Sequence, residues 1–400
     1  MGTLFLAIVR ASFLLGIFVT WLSCEASAQD SLPLIISDYE SNDNGVLSTP
    51  VRILDVPIQG KSRVYVYNAR KYGDRRRVYV RIVNKTSGEA SFDVVASAAS
   101  TPDDASFVAS KATGCFWLAS WTGTGHVATI GAGKAVDLVS PAILYGSNAT
   151  FNSIIQLNPH VPLAPGSFRL EIIVAPADYS ADVGDGSAFG PPPTPKPGGP
   201  QHPNGTFASN MVQESTYLMT ADTPPRPPIG TPPPDALKIP DTGGTFGVKY
   251  TMTFHIRNDS NSDRTYDVYF EPRGGGAQAT FVTQSGVMAQ TDLLCGPDLD
   301  MTQCVPKGTA KTRYRIPALS KMVKAHQTAP DLVLNVFGEG DSSYPAYLEL
   351  GEGLESQDAS IRGPHGGHLS NFNGPIGQLT STMASECPCP WPSCVKLGAQ

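Results

Sequence analysis

Charge is scarce in this chain. Asp, Glu, Lys and Arg make up 16% of its 400 residues, against about a quarter in ordinary soluble domains. The 29 basic and 35 acidic side chains leave a net charge of −6 and form no basic block. Nucleic-acid binding needs clustered Lys and Arg to neutralise phosphates, so this composition argues against it. Long apolar runs are missing beyond residue 22. None approaches the ~18 residues of a membrane-spanning helix, so no transmembrane segment is expected once a leader is removed. Catalytic signatures are missing too. Ser187 and Ser285 lie in Gly-containing loops without the Gly-x-Ser-x-Gly elbow of a hydrolase. The stretch GTGHVATIGAG at 123–133 lacks the Lys-Ser/Thr and the helix of a phosphate loop, and reads as a hairpin turn. These absences point to a protein that is not an enzyme and carries no cofactor.

What is abundant is turn chemistry: 39 glycines and 35 prolines. That balance favours short strands and many turns. The first 28 residues read as a signal peptide, apolar over 2–22 and ending in Ala26-Ser27-Ala28 before Gln29. Its charge comes late, at Arg10. Two other readings stay open: an uncleaved anchor, or a lipid anchor on Cys24. Export places the protein outside the cytoplasm, secreted or at the cell surface.

One stretch occurs twice. Residues 78–95 (VYVRIVNKTSGEASFDVV) and 252–269 (MTFHIRNDSNSDRTYDVY) align without a gap at an offset of 174, pairing Ile82 with Ile256, Asn84 with Asn258 and Asp93 with Asp267. The offset continues through Ala105, Phe107 and Val108 onto Ala279, Phe281 and Val282. Each copy is an alternating run, a polar turn cluster and a second alternating run, expected as a strand hairpin. Further alternating runs at 62–70, 127–130, 136–139 and 168–175, with strands also expected at 106–109 and 116–121, predict eight or so strands and no helix. The expected architecture is all-β: two tandem antiparallel β-sandwich (Ig-like) domains, at 31–183 and 244–352, joined by a Pro-rich linker at 184–243. Fifteen prolines fall between 191 and 240, which makes that stretch an extended, semi-rigid spacer in which only 206–222 could dock as a strand. Residues 353–400 are expected to be an irregular, Cys-containing tail.

The stretch TFGVKYTMTFHIRN at 245–258 carries Phe246, Gly247, Val248, Tyr250 and Asn258 in a pattern of aromatic-Gly-Val, a further aromatic, alternation and Asn. In this it resembles an uncharacterised bacterial exported family, of cyanobacterial type, with two β-rich halves around a Pro-rich middle and no assigned function. The resemblance implies the same two-part organisation and no catalytic residues.

Candidate site residues are few. With Cys24 set aside, six cysteines remain, an even number that suits disulfides in an oxidising compartment. Cys295 and Cys304 bracket a loop and make the simplest pair; Cys387, Cys389 and Cys394 belong to the tail, and Cys115 stands alone in an apolar run, disulfide-bonded or free. His365, His368, Cys387 and Cys389 form the sharpest metal candidate, although C-x-C-x4-C is not a usual zinc spacing. Tyr65, Tyr67, Trp117 and Trp121 could stack on sugar rings if they face solvent, or fill the core if they do not. The loop acids Asp182, Asp185, Asp298 and Asp300 suit solvent or calcium more than catalysis. Four Asn-x-Ser/Thr sites occur, at Asn84, Asn148, Asn204 and Asn258, two of them at the repeated bend. The expected function is a non-catalytic structural or adhesion-type envelope module. The alternative is a polysaccharide-binding accessory protein, so the expected partner is an envelope polysaccharide or protein.

Overall fold

The structure is a computed structural model that describes residues 32–41, 49–70, 75–101, 105–144, 149–179, 189, 204–208, 210–219, 225–229, 247–272, 276–291, 293–294, 313–339, 346–354, 373–375, 387 and 395–396. The first half contributes β1 (Pro33–Ser41), β2 (Val51–Ile58), β3 (Ser62–Arg70), β4 (Arg76–Asn84), β5 (Ala90–Thr101), helix α1 (Ala105–Thr122), β6 (Thr124–Ile130), β7 (Ala135–Asp137), β8 (Ala142–Leu144), β9 (Ala149–Pro159) and β10 (Phe168–Pro176). There follow β11 (Asn204–Ala208), β12 (Asn210–Leu218), β13 (Pro228–Ile229), β14 (Lys249–Asn258), β15 (Arg264–Pro272), β16 (Ala279–Thr283), β17 (Val287–Gln290), β18 (Tyr314–Arg315), β19 (Lys321–Val323), β20 (Gln327–Thr328), β21 (Leu332–Gly338) and β22 (Ala346–Gly351). The tail adds β23 (Asn373–Pro375) and β24 (Val395–Lys396).

The fold is all-β. A first major sheet has the order β11-β1-β3-β9-β5-β6-β24 and faces a first minor sheet, β2-β10-β4-β7, with β8 also on β4. The second major sheet runs β12-β14-β21-β16-β17-β23, with β20 on β14, and its minor sheet is β13-β22-β15-β18, with β19 on β15. Period-two alternation explains each core. Val64 and Val66 of β3 and Val78, Val80 and Ile82 of β4 point between the first two sheets. Tyr250, Met252, Phe254 and Ile256 of β14 meet Val268 and Phe270 of β15 between the second two. In both major sheets the first strand pairs parallel with its neighbour, β1 with β3 and β12 with β14, while the other pairings are antiparallel.

The repeated stretch differs from the expectation in three ways. It is not a hairpin: β4 and β5 lie in different sheets, as do β14 and β15, so each copy is an arch that crosses the sandwich. Its sequence match is out of step with the sheets: the offset of 174 sets β4 on β14, whereas by place in the sheets β4 corresponds to β15. And the expected strands at 106–109 and 116–121 are one helix, α1. Buried residues cover most of its circumference, among them Val108, Ala109, Ala112, Cys115, Phe116 and Leu118. A helix covered on all sides has no polar stripe to betray its period.

Two straps tie the major sheets together. Within the span read as a linker, β11 pairs with β1 of the first major sheet and β12, one residue later, pairs with β14 of the second. At the opposite edges, the tail's β23 pairs with β17 and its β24 with β6. Residues from Leu32 onward cluster as one unit.

The outer faces of the minor sheets carry buried charge, handled differently in each. Glu349 on β22 is approached by Arg313 Nε at 2.6 Å and Arg226 Nε at 3.7 Å. Glu171 on β10 is wholly buried and its ion pair among the described residues is with Arg52 Nη1, at 3.6 Å, while that same Arg52 nitrogen lies 2.6 Å from Asp55. Burial therefore pushes the Glu171 carboxyl above the usual range, partly offset by Arg52. A raised carboxyl pKa favours the folded state below the unfolded-state value and withdraws that contribution as pH rises through the folded value. Glu171→Gln is thus expected to raise stability at neutral pH by on the order of 1 kcal/mol and to lose this advantage in acid. Glu349→Gln should instead cost about 2 kcal/mol, because the Arg313 guanidinium loses its close counter-charge while Arg226 is left to Glu271. Thermal melts of both variants across pH check the opposite signs.

Candidate functional site

The seam between the two major sheets is where the chain departs most from a plain pair of sandwiches. Leu34, Ile36, Tyr65, Tyr67, Phe116 and Ile154 of the first half share one buried cluster with the second core. Helix α1 lies in this seam. Phe337 of β21 receives Phe116 and Trp117 edge-on, with ring centroids 6.3 and 5.1 Å away. The Arg63 guanidinium sits 5.1 Å from the same ring, and its Nη1 donates to the Gly247 carbonyl at 3.4 Å. Burial pulls the Arg63 pKa down to about 10, so the group is still charged at neutral pH.

Two glycines make the approach possible. Gly114 brings α1 so near β17 that a Cβ there would stand 3.0 Å from the Gln290 amide. Gly247 has φ +77°, and a Cβ would meet Tyr65 at 2.6 Å. Beneath Gly114 lies a buried polar group of three. Thr280 Oγ1 donates to the Glu339 carboxylate, and Gln290 Nε2 donates to Thr280 Oγ1 at 2.8 Å and to Glu339 Oε1 at 3.4 Å.

The seam is closed by a covalent bond. Cys115 of α1 is joined to Cys387 of the tail, with Cα atoms 5.3 Å apart at a sequence separation of 272. The bridge packs on Leu118, Val282 and Met288. Cys387 sits between β23 and β24, so the bond pins the tail midway along its path from one major sheet to the other.

Sequence reasoning named Cys387 as a disulfide candidate and left Cys115 open; the structure pairs them. The readable signal was the even cysteine count. The partner was not readable, because it depends on a helix the sequence hid. Cys295, Cys304, Cys389 and Cys394 lie outside the described residues, as do His365, His368, Asp182, Asp185, Asp298 and Asp300. In this disulfide Cys387 offers no thiolate, so the metal candidate loses that ligand. Among the described residues, no three His, Cys, Asp or Glu side chains are grouped to hold a metal ion.

The aromatic candidates are corrected by burial. Tyr65 and Tyr67 are 1% and 4% exposed, and Trp117 is packed against Phe337, so none of the three can stack on a sugar. Trp121, at the end of α1, is 48% exposed. The structure places these four in or beside the seam and does not gather them into a platform. Asn84 and Asn258 are wholly buried, so their sequons are closed to a glycan in the folded protein. Among the described residues no helix is long and apolar enough to cross a membrane.

No family model matches the chain, and no curated protein matches it. Among solved structures it is similar to Lac15 from a marine microbial metagenome, at 14% identity over 81% of this chain and 63% of that one, with a TM-score of 0.14. The chain spans less than two thirds of that protein's length, and a likeness at this level carries no argument about fold or activity.

Proposed function

We propose that the chain is an exported, non-catalytic structural or adhesion-type module of the cell envelope. On this reading its two halves are tandem copies of one Ig-like sandwich, fused through a shared seam. The Cys115–Cys387 bond is the observation that carries the reading. Structural disulfides persist in oxidising compartments and are rare in the cytosol. The straps support it from the mechanical side: both major sheets are tied at both edges, which suits a rigid unit that bears load or spaces other parts. The partner this reading implies is an envelope polysaccharide or protein. Fractionation of cells making the full chain, with maleimide present and no reductant, tests it. The expected result is protein in the extracytoplasmic fraction with Cys115 and Cys387 unlabelled. Cytosolic protein with both thiols labelled would overturn it.

A further inference from the structure

A second feature lies at the far end of the second sandwich, where the core opens between its two sheets. On one side β19 pairs with β15, setting Lys321 opposite Tyr266 and Met322 opposite Thr265. Directly opposed antiparallel residues project to the same face, so Lys321 and Tyr266 are neighbours on one face. On the other side the chain turns back through Lys324–Gln327 onto β14, and Ala329 N donates to the Ile256 carbonyl. Between them is a cavity of about 290 Å³, near the lower limit of ligand pockets. Its walls mix apolar Met322, Pro330 and Leu332 with polar Gln327 and Thr328, and its rim carries Lys321 and Lys324.

The floor distinguishes this cavity from an ordinary surface dent. Tyr266 is 1% exposed and lines it, yet its hydroxyl has no hydrogen-bond partner among the described residues. Burial pushes this phenol up to about 12, so it keeps its proton and remains a donor. Around the opening stand the cations of Lys321 and Lys324 and the carboxylate of Asp331. Neither Lys321 nor Lys324 has an acidic partner among the described residues, and Asp331, the carboxylate on the lining, is held by His255 Nδ1 at 2.9 Å. Met322 is 64% exposed, a large apolar side chain left in solvent beside the opening.

We propose that this cavity binds a carboxylate-bearing sugar ring, a uronic-acid unit. The apolar walls suit the C–H face of a pyranose, the Tyr266 hydroxyl and the Gln327 and Thr328 side chains suit its hydroxyls, and the two lysines suit its carboxylate. The unit could come as a free monosaccharide or as part of a polymer, and both present the same chemistry. The site does not depend on the envelope role proposed above, and either can fail alone.

Nuclear magnetic resonance titration of the full chain tests it, with sodium glucuronate, glucose, inorganic phosphate and a short oligogalacturonate as probes. Glucuronate is expected to bind at millimolar concentration with shifts confined to residues 264–266 and 321–332, and glucose more weakly. Tyr266→Phe keeps the ring in the core and should weaken glucuronate binding about fivefold, the loss of one hydrogen bond. The exposed pair Lys321→Gln/Lys324→Gln, which leaves the core untouched, should weaken it by a similar factor and remove its salt dependence. Tighter binding of the oligogalacturonate than of glucuronate would assign the polymer as source, and equal binding the free sugar. No shifts at this site, binding of phosphate as tight as that of glucuronate, or lysine variants that bind as the parent does would each overturn the proposal.

Discussion

Removing the Cys115–Cys387 bridge, in a Cys115→Ser/Cys387→Ser protein, is expected to lower the unfolding temperature by several degrees and to free the tail for proteolysis. The bond closes a span of 272 residues. The chain-entropy argument puts such a closure at about 5 kcal/mol, at the upper end of what disulfides deliver. The straps already restrict the chain, so a loss of about 3 kcal/mol is the working figure. Among the described residues, what remains to hold the tail is slight. β23 contributes three residues and β24 two, and each backbone hydrogen bond is worth about 1 kcal/mol net at best. Once the tail leaves, β6 and β17 become open edges, and open edges recruit other strands. The variant should therefore also associate with rising concentration. Calorimetry, limited trypsin digestion and light scattering read the three effects. An unchanged melting temperature together with an unchanged digestion pattern would show that the tail is held by something other than this bond.

How far the sequence reached can be seen in individual elements. β3, β10 and β14 were legible because alternate side chains go to a core and to another face, so their period is written in the residues themselves. Helix α1 was not. Its sequence, ASFVASKATGCFWLASWT, has small or apolar residues at nearly every step, because the first major sheet covers one side and β16 and β17 approach the other. Buried over most of its circumference, it offers a strand-like run of apolar residues. The arch at the repeat fails for a different reason. A strand, a turn and a strand look alike in sequence whether the two strands pair with each other or with distant partners. β4 finds β10, about ninety residues on, and β14 finds β21. The same non-locality hid the disulfide and both straps. The pocket at Tyr266 had no sequence signature, since it arises where a loop closes the end of a sandwich over a ring that reads as core.

Asn258→Ala is expected to be among the most damaging single substitutions in the second sandwich, at about 3 kcal/mol, and Asn84→Ala its counterpart in the first. The repeated bend turns on these two side chains. Asn258 Nδ2 donates to the Ser262 and Val323 carbonyls, both at 2.9 Å, and its Oδ1 accepts from Ser260 N at 3.0 Å and Ser260 Oγ at 2.7 Å. Asn84 repeats the arrangement. Its Nδ2 donates to the Gly88 carbonyl at 2.6 Å and the Ile130 carbonyl at 3.0 Å, and its Oδ1 accepts from Thr86 N at 2.8 Å and Thr86 Oγ1 at 2.7 Å. One amide thus closes its own turn and ties it to a neighbouring element, β19 in one case and the end of β6 in the other. The Ser or Thr two residues on shares its single O–H between the Asn oxygen and a carbonyl of the turn, Gly88 at 3.0 Å from Thr86 Oγ1 and Ser262 at 2.9 Å from Ser260 Oγ. That geometry, with no glycan involved, accounts for the Asn-x-Ser/Thr pattern at both bends. Truncation to Ala leaves the Val323 carbonyl without a partner in the interior, costing about 1–3 kcal/mol, and frees the half-buried Ser260 N–H at a smaller cost. Asp in place of Asn258 keeps the acceptor but loses both donated bonds and buries a charge, so it should be no milder than Ala. Ser260→Ala removes only bonds near the surface and should cost about 1 kcal/mol. Urea denaturation of the three variants orders them. A stability for Asn258→Ala within about 0.5 kcal/mol of the parent protein would mean that the arch is held by its flanking strands and not by this side chain.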